Sequence, residues 1–314
     1  MKVVEDDINN QQEFLEEFNA RCEARLFPIV IKIDEGPDLT RLMLGGSPLV
    51  EFIRTHQHTE HIMVEIDNLV QEVPGVQTRK WFNELPFFHF KGLETNPKQL
   101  KRKFMLFVGN HRWPRFLLAQ YLYTNYKDQS YLTYWHTRFP VGNLTQHLDQ
   151  ESINQFIKRL PLYIDSDEII ERHANGFINF VDTNPLQKFY HKAFIDIVCE
   201  TWHMGETFMP TEKIARPLAM KNPFLVYGPK HFLRNLRRLG FKTFNDYWSE
   251  DYDNYQGLQR IDLIKSQMDR LSGLSMSQLQ SMLAEMENVL EHNRTLYQNI
   301  KLDHINKEFS CRLT

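Results

Sequence analysis

A chain of 314 residues is long enough for two domains of ordinary size, and 42% hydrophobic residues with 25% charged ones exclude a disordered chain. The formal net charge of −3 gives no general electrostatic grip on nucleic acid. No apolar run approaches the ~20 residues that span a bilayer, and the acidic, polar N-terminus does not read as a signal peptide, so a cytoplasmic protein with no membrane partner is expected.

In chain order, residues 5–24 carry Phe14, Leu15 and Phe18 on one side of an amphipathic helix. Residues 26–33 read as a strand that Gly36-Pro37 stops, 48–55 as a short helix and 62–66 as a second strand, with 86–90 as a third. A strand over 103–108, a Gly109-Asn110 turn, a helix over 114–126 and a strand over 130–135 follow. This β-turn-α-β rhythm predicts a parallel sheet with helices on its faces. Residues 144–160 hold a polar helix, and Leu160-Pro161-Leu162 opens a less regular stretch that is expected to cross between domains. The rhythm resumes with a helix over 186–192, an apolar strand over 193–199, a helix over 212–220, a strand over 224–227 and a helix over 230–239. The expected sheets are separate, one drawn from residues before about 140 and one from residues after about 160.

From Met276 the apolar residues step by three and four through Leu279, Leu283, Met286, Leu290, Tyr297 and Ile300, with Asn293 as one polar position. One long helix over 276–300 is expected. It packs either across both domains or against a second copy, as a homodimer contact.

The cysteines Cys22, Cys199 and Cys311 lie too far apart for a metal-spaced pair or a disulfide framework, and Cys199 in its apolar run reads as core. His56, His58 and His61 have the spacing of metal ligands, but their neighbours Thr55, Gln57, Thr59 and Glu60 also suit a solvated loop. Glu250-Asp251-Tyr252-Asp253 is dense enough in carboxylates for a divalent cation; capping of the helix that follows is the favoured role.

The most informative stretch is 200–253. Glu200 ends a strand and Thr211-Glu212-Lys213 opens a helix. A carboxylate there accepts from hydroxyls, while a helix N-terminus and a lysine hold phosphates. The plainer alternative makes Thr211 the N-cap and Glu212 a first-turn charge. Lys213 argues against it, because a cation in the first turn opposes the helix dipole unless an anion is near. Arg112 and Arg115 follow the strand over 103–108, where α/β sheets bind ligands, and arginine grips phosphate bidentately.

Thr211-Glu212-Lys213, the strand Asn222-Pro223-Phe224-Leu225-Val226-Tyr227-Gly228, Gly240-Phe241-Lys242-Thr243-Phe244 and Asp251-Tyr252-Asp253, in this order, resemble a glycosyltransferase-like family of phage and marine-virus proteins. That family is distantly similar to the donor-binding half of α1,3-fucosyltransferases. The resemblance covers roughly residues 190–300 and, more weakly, 101–136. It implies a GT-B-like architecture of two Rossmann-like α/β domains facing a cleft, with a long C-terminal helix. Residues 1–150 would form the acceptor side and 151–314 the nucleotide-sugar donor side. It implies metal-independent transfer of a sugar from a nucleotide-sugar, with no cofactor beyond that donor. Glu200, Thr211, Glu212, Lys213, Arg115 and Arg112 would bind the donor. The acceptor is unidentified, with a modified base in DNA as one option. The catalytic base is expected from the N-terminal half, where Glu65, Asp67 and His61 (and Glu60) are of the right type but carry no motif. The competing reading is a non-catalytic nucleotide-binding or viral assembly protein that keeps the fold.

Overall fold

The structure, a computed structural model, describes residues 12–33, 48–66, 75–80, 87–88, 90–109, 111–135, 144, 148–162, 184–203, 205 and 207–309. Two parallel sheets organise them. The β-branched run Ile29–Ile33 (β1) pairs with Ile62–Ile66 (β2), which pairs with Gln77–Lys80 (β3); Ile31 lies opposite Val64, and Val64 opposite Thr78. Helices Gln12–Glu23 (α1) and Pro48–Thr55 (α2) belong to this part, and Phe18 and Ile53 share its core with Ile29, Ile31 and Val64. The strand expected over 86–90 is not formed, since Phe87 and Phe88 are helical. The third strand is instead the polar β3, in which Thr78 is buried.

The second sheet has four strands: Arg102–Val108 (β4), Ser130–Tyr134 (β5), Ala193–Cys199 (β6) and Phe224–Tyr227 (β7), in the order β5-β4-β6-β7. All its pairs are parallel, with Phe104 opposite both Ser130 and Ile195, and Cys199 opposite Tyr227. The expectation of separate sheets before 140 and after 160 is therefore corrected, because β4 and β6 are neighbours. The physical reason lies in β6. All its residues are buried, and a strand buried on both faces needs a paired strand on each side and cover above and below. The apolar β4 supplies one neighbour and β7 the other. The stretch that 160–162 was expected to open, 163–183, lies outside the described residues. Leu162 bridges back antiparallel to Tyr134, its N–H donating to the Tyr134 carbonyl at 2.9 Å.

Helices Trp113–Tyr126 (α3), Gln150–Ile157 (α4), Asn184–Tyr190 (α5), Glu212–Ala219 (α6) and Phe232–Arg238 (α7) alternate with these strands. Gly257–Ser272 (α8), which packs on α3 and β7, has no counterpart among the expected elements. The expected single helix over 276–300 is two, Met276–Glu285 (α9) and Glu287–Asn299 (α10), meeting at Met286; Leu302–Phe309 (α11) follows. The heptad seam packs inside the chain: Leu279, Leu283, Met286, Leu290, Asn293, Tyr297 and Ile300 are all buried, and α10 lies on α6. Asn293 is the polar member because it bonds the Lys242 backbone twice, accepting from its N–H (2.7 Å) and donating to its carbonyl (2.9 Å). Among the described residues no helix is long and apolar enough to cross a membrane.

Candidate functional site

The strand order places a change of direction between β4 and β6. The chain leaves β4 towards β5 and leaves β6 towards β7. In open α/β sheets such a switch point forms a crevice at the carboxyl ends of the two strands. The residues just beyond these ends are Arg112, Trp113 and Arg115 on one side and Glu200 to His203 on the other.

Glu200 is fully buried one residue past β6. Its carboxylate accepts from the Thr211 hydroxyl (2.5 Å), the Thr211 N–H (3.1 Å) and the Thr201 N–H (3.3 Å). Burial pushes its pKa up against the pull of Lys213 and Thr211. Thr211 is the N-cap of α6 and accepts from the Lys213 N–H at 3.3 Å, as the plainer reading of that residue expects. The Lys213 ammonium bonds Glu212 at 2.5 Å, Thr201 at 3.0 Å and Thr211 at 3.4 Å. Burial lowers its pKa, opposed by Glu212 and Glu200. Burial raises the Glu212 pKa, but Lys213 and Arg216 outweigh it and the carboxyl ends below its usual range.

Arg115 is also buried, and its Nη2 donates to the carbonyls of Cys199 (3.3 Å) and Glu200 (3.4 Å), the last groups of β6. The guanidinium thus joins α3 to the strand end. Burial depresses its pKa, and Cys199, Glu200 and Glu212 partly restore it. The Cys199 thiol, buried as expected, is pushed up to about 12 by desolvation. Arg112 is exposed at the N-cap position of α3, and its Nη1 donates to the neighbouring His111 carbonyl at 3.5 Å. Two buried carboxylates, Glu200 and Glu212, thus face the half-buried Lys213 and the buried Arg115, with Arg216 also acting on Glu212 and Arg112 exposed nearby.

Five of the six residues expected to bind a donor therefore form one cluster, buried except for the half-buried Lys213, with Arg112 at its rim. His203, Trp113 and Tyr227 line the same edge with ring centroids 5.7–6.1 Å apart; from the sequence, His203 near the motif segment reads only as ordinary surface or core, and neither Trp113 nor Tyr227 as a site residue. The signal for His203 was its position three residues after Glu200.

Of the expected catalytic residues, Glu65 lies in the three-stranded sheet and His61 just before its strand β2. His61 is exposed, stacked on Phe27 at 4.6 Å, with Nε2 3.4 Å from Glu60. Glu65 is the penultimate residue of β2, in register with Lys32 and Arg79. Asp67 lies outside the described residues. His56 packs edge-on to Phe18 at 5.0 Å, and its Nδ1 accepts from the His58 N–H at 3.2 Å. Burial, then His58, lowers its pKa. Among the described residues no group of three or more His, Cys, Asp or Glu is placed to hold a metal ion.

The acidic turn is structural, but it serves the helix before it rather than the one after. Asp253 accepts from the N–H groups of Leu233 (2.9 Å) and Arg234 (3.0 Å), capping α7, and from the fully buried Arg260 (3.2 Å). Glu250 accepts from the Phe244 N–H (2.6 Å), the Thr243 hydroxyl (2.7 Å) and Arg237 (3.0 Å). The Gly-Phe-Lys-Thr-Phe turn is thereby tied to the acidic one. Gly240 has φ +92°, the left-handed region that suits glycine after a helix end.

Two open cavities lie elsewhere: one of about 380 Å³ beside His231, Arg234 and Asp251, and one of about 520 Å³ between α3 and α4 beside Tyr123 and Lys158. Neither is lined by Glu200, Lys213 or Arg115. In comparisons with protein-family models, curated proteins and solved structures, nothing matches this chain.

Proposed function

We propose that the chain is a glycosyltransferase that binds a nucleotide-sugar at the carboxyl edge of its four-stranded sheet and transfers the sugar to a hydroxyl acceptor. The observation that carries the reading is the gathering of Arg112, Arg115 and Lys213 at the switch point between β4 and β6, beside the N-terminus of α6. A departing nucleoside diphosphate develops negative charge on its phosphates, and fixed cations in a low-dielectric setting lower that barrier. Arg112 and Arg115 take the diphosphate, Lys213 shares its ammonium between Glu212 and the phosphates, and Glu200 orients the hydroxyls of the ribose. The three-stranded sheet is the acceptor side in this reading. Glu65, near the carboxyl end of β2, and His61, just before that strand, are then the groups of the right type to take the acceptor proton.

One observation favours a second reading. Lys213 already has three oxygen partners in the protein, as a lysine kept for structure would. A non-catalytic nucleotide-binding protein is then the alternative. Calorimetric titration with UDP, GDP and ADP tests the shared premise, and a donor-hydrolysis assay separates the two. Arg112→Ala should weaken binding about tenfold, the loss of one charge-assisted contact. Absence of binding to every nucleoside diphosphate would remove both readings.

A further inference from the structure

His203 is half-buried, yet its Nδ1 is buried with no hydrogen-bond partner among the described residues. A buried polar atom without a partner costs free energy and calls for a reason. The ring lies edge-on to Trp113, at the start of α3, and to Tyr227, at the end of β7. Among the described residues the charged groups that act on it are Arg115 and Arg112. Burial first, then these two arginines, push its pKa down to about 4, with a small opposing contribution from its own backbone. At neutral pH a neutral imidazole therefore stands beside two cations.

An anion held by those arginines would reverse this field. We propose that His203 is the proton-linked member of the diphosphate site: when a diphosphate settles against Arg112 and Arg115, the imidazole takes up one proton from solvent and becomes a third cationic group facing the ligand. The inference rests on the diphosphate reading above and adds a residue and a pH dependence to it. Its sign follows from linkage. A group that binds its proton more tightly in the complex makes affinity fall as pH rises between the free and bound titration ranges.

The test is calorimetry at pH 6 in two buffers of different ionisation enthalpy, with inorganic pyrophosphate and with GDP or UDP as probes. The wild type should take up a large fraction of a proton on binding either probe, and its affinity should fall by up to tenfold per pH unit across that range. His203→Gln should bind with no uptake and a flat pH profile. Binding by the wild type without uptake, or equal uptake by His203→Gln, would overturn the role of His203 and leave the diphosphate site standing. No binding of either probe would overturn both. Histidine-labelled NMR of the wild type needs no variant: His203 resonances at pH 6 should move to the protonated position on adding pyrophosphate, and unmoved resonances in a binding protein would refute the link.

Discussion

The phenol oxygen of Tyr297 accepts a hydrogen bond from the backbone N–H of Phe90 at 3.1 Å and donates to the carbonyl of Phe87. One side chain of α10 thereby fixes the segment that leads from the three-stranded sheet to the four-stranded one. The tie continues along the helix. Gln298 accepts from the Gly92 N–H (2.7 Å), Arg294 donates to the Leu93 carbonyl (2.9 Å), and Lys91 donates to the Ile300 carbonyl (2.7 Å). Tyr297→Phe removes the hydroxyl from two buried backbone groups and should cost about 1–3 kcal/mol, read from urea unfolding. Truncation after Ser275 removes the whole clamp and should leave no cooperative transition.

Arg260 and Asp253 form the other buried tether. Arg260 is fully buried and also donates to the carbonyls of Val226 and Pro229, both at 3.0 Å. Asp253→Ala would uncap α7 and strand a buried cation, so a loss of about 3–5 kcal/mol is expected. A double-mutant cycle with Arg260→Met should recover part of it, and purely additive losses would show that the pair does not act as a unit.

Asp196, in the middle of β6, accepts from the Tyr190 hydroxyl at 2.8 Å. Burial drives its carboxyl up to about 7, although Tyr190, Arg216 and Lys98 pull the other way. The folded state then holds more protons than the unfolded one from about pH 4, the ordinary value, up to 7. This contribution to stability is complete below that window and is lost as pH rises through it. Buried Lys98, lowered to about 7, acts in the opposite sense above neutrality, where stability should rise with pH. Urea midpoints at pH 5 and pH 7 should therefore differ less in Asp196→Asn than in wild type.

Lys213 is expected to matter to folding as well as to binding. Its ammonium is the nearest counter-charge of Glu212, whose side chain is 6% exposed. Lys213→Met should lower stability by about 2–3 kcal/mol. Arg112→Ala, at an exposed position, should change stability by no more than about 0.5 kcal/mol, so it is the cleaner probe of ligand binding by calorimetry.

Local pattern was legible in the sequence. The strand Phe224–Tyr227, the apolar β6 and every member of the C-terminal seam follow from periodicity and end signals. The pairing of strands was not legible. Whether β6 joins β4 depends on contacts far apart in the chain, which no local spacing encodes. The edge strand β3 hid behind its polar residues. Helix α8 did carry a readable signal, Ile261, Ile264, Met268 and Leu271 at helical intervals, with buried Arg260 breaking the apolar face. At the site, the Thr-Glu-Lys motif marked the cluster, but the bonds that Lys213 and Arg115 spend inside the protein depend on Thr201 and on the strand-end carbonyls. Residue type alone does not reveal those partners.

The contact between Tyr297 and Phe87 spans 210 residues, and α11 returns to touch β3. On a ribosome, the three-stranded sheet would emerge long before the helices that hold it. Its apolar face must wait, uncovered or chaperoned, until residues near 300 have left the exit tunnel. Completion of the clamp is therefore tied to synthesis of the residues near 300. A prematurely stopped chain would present β1 to β3 without their clamp, a natural substrate for quality control.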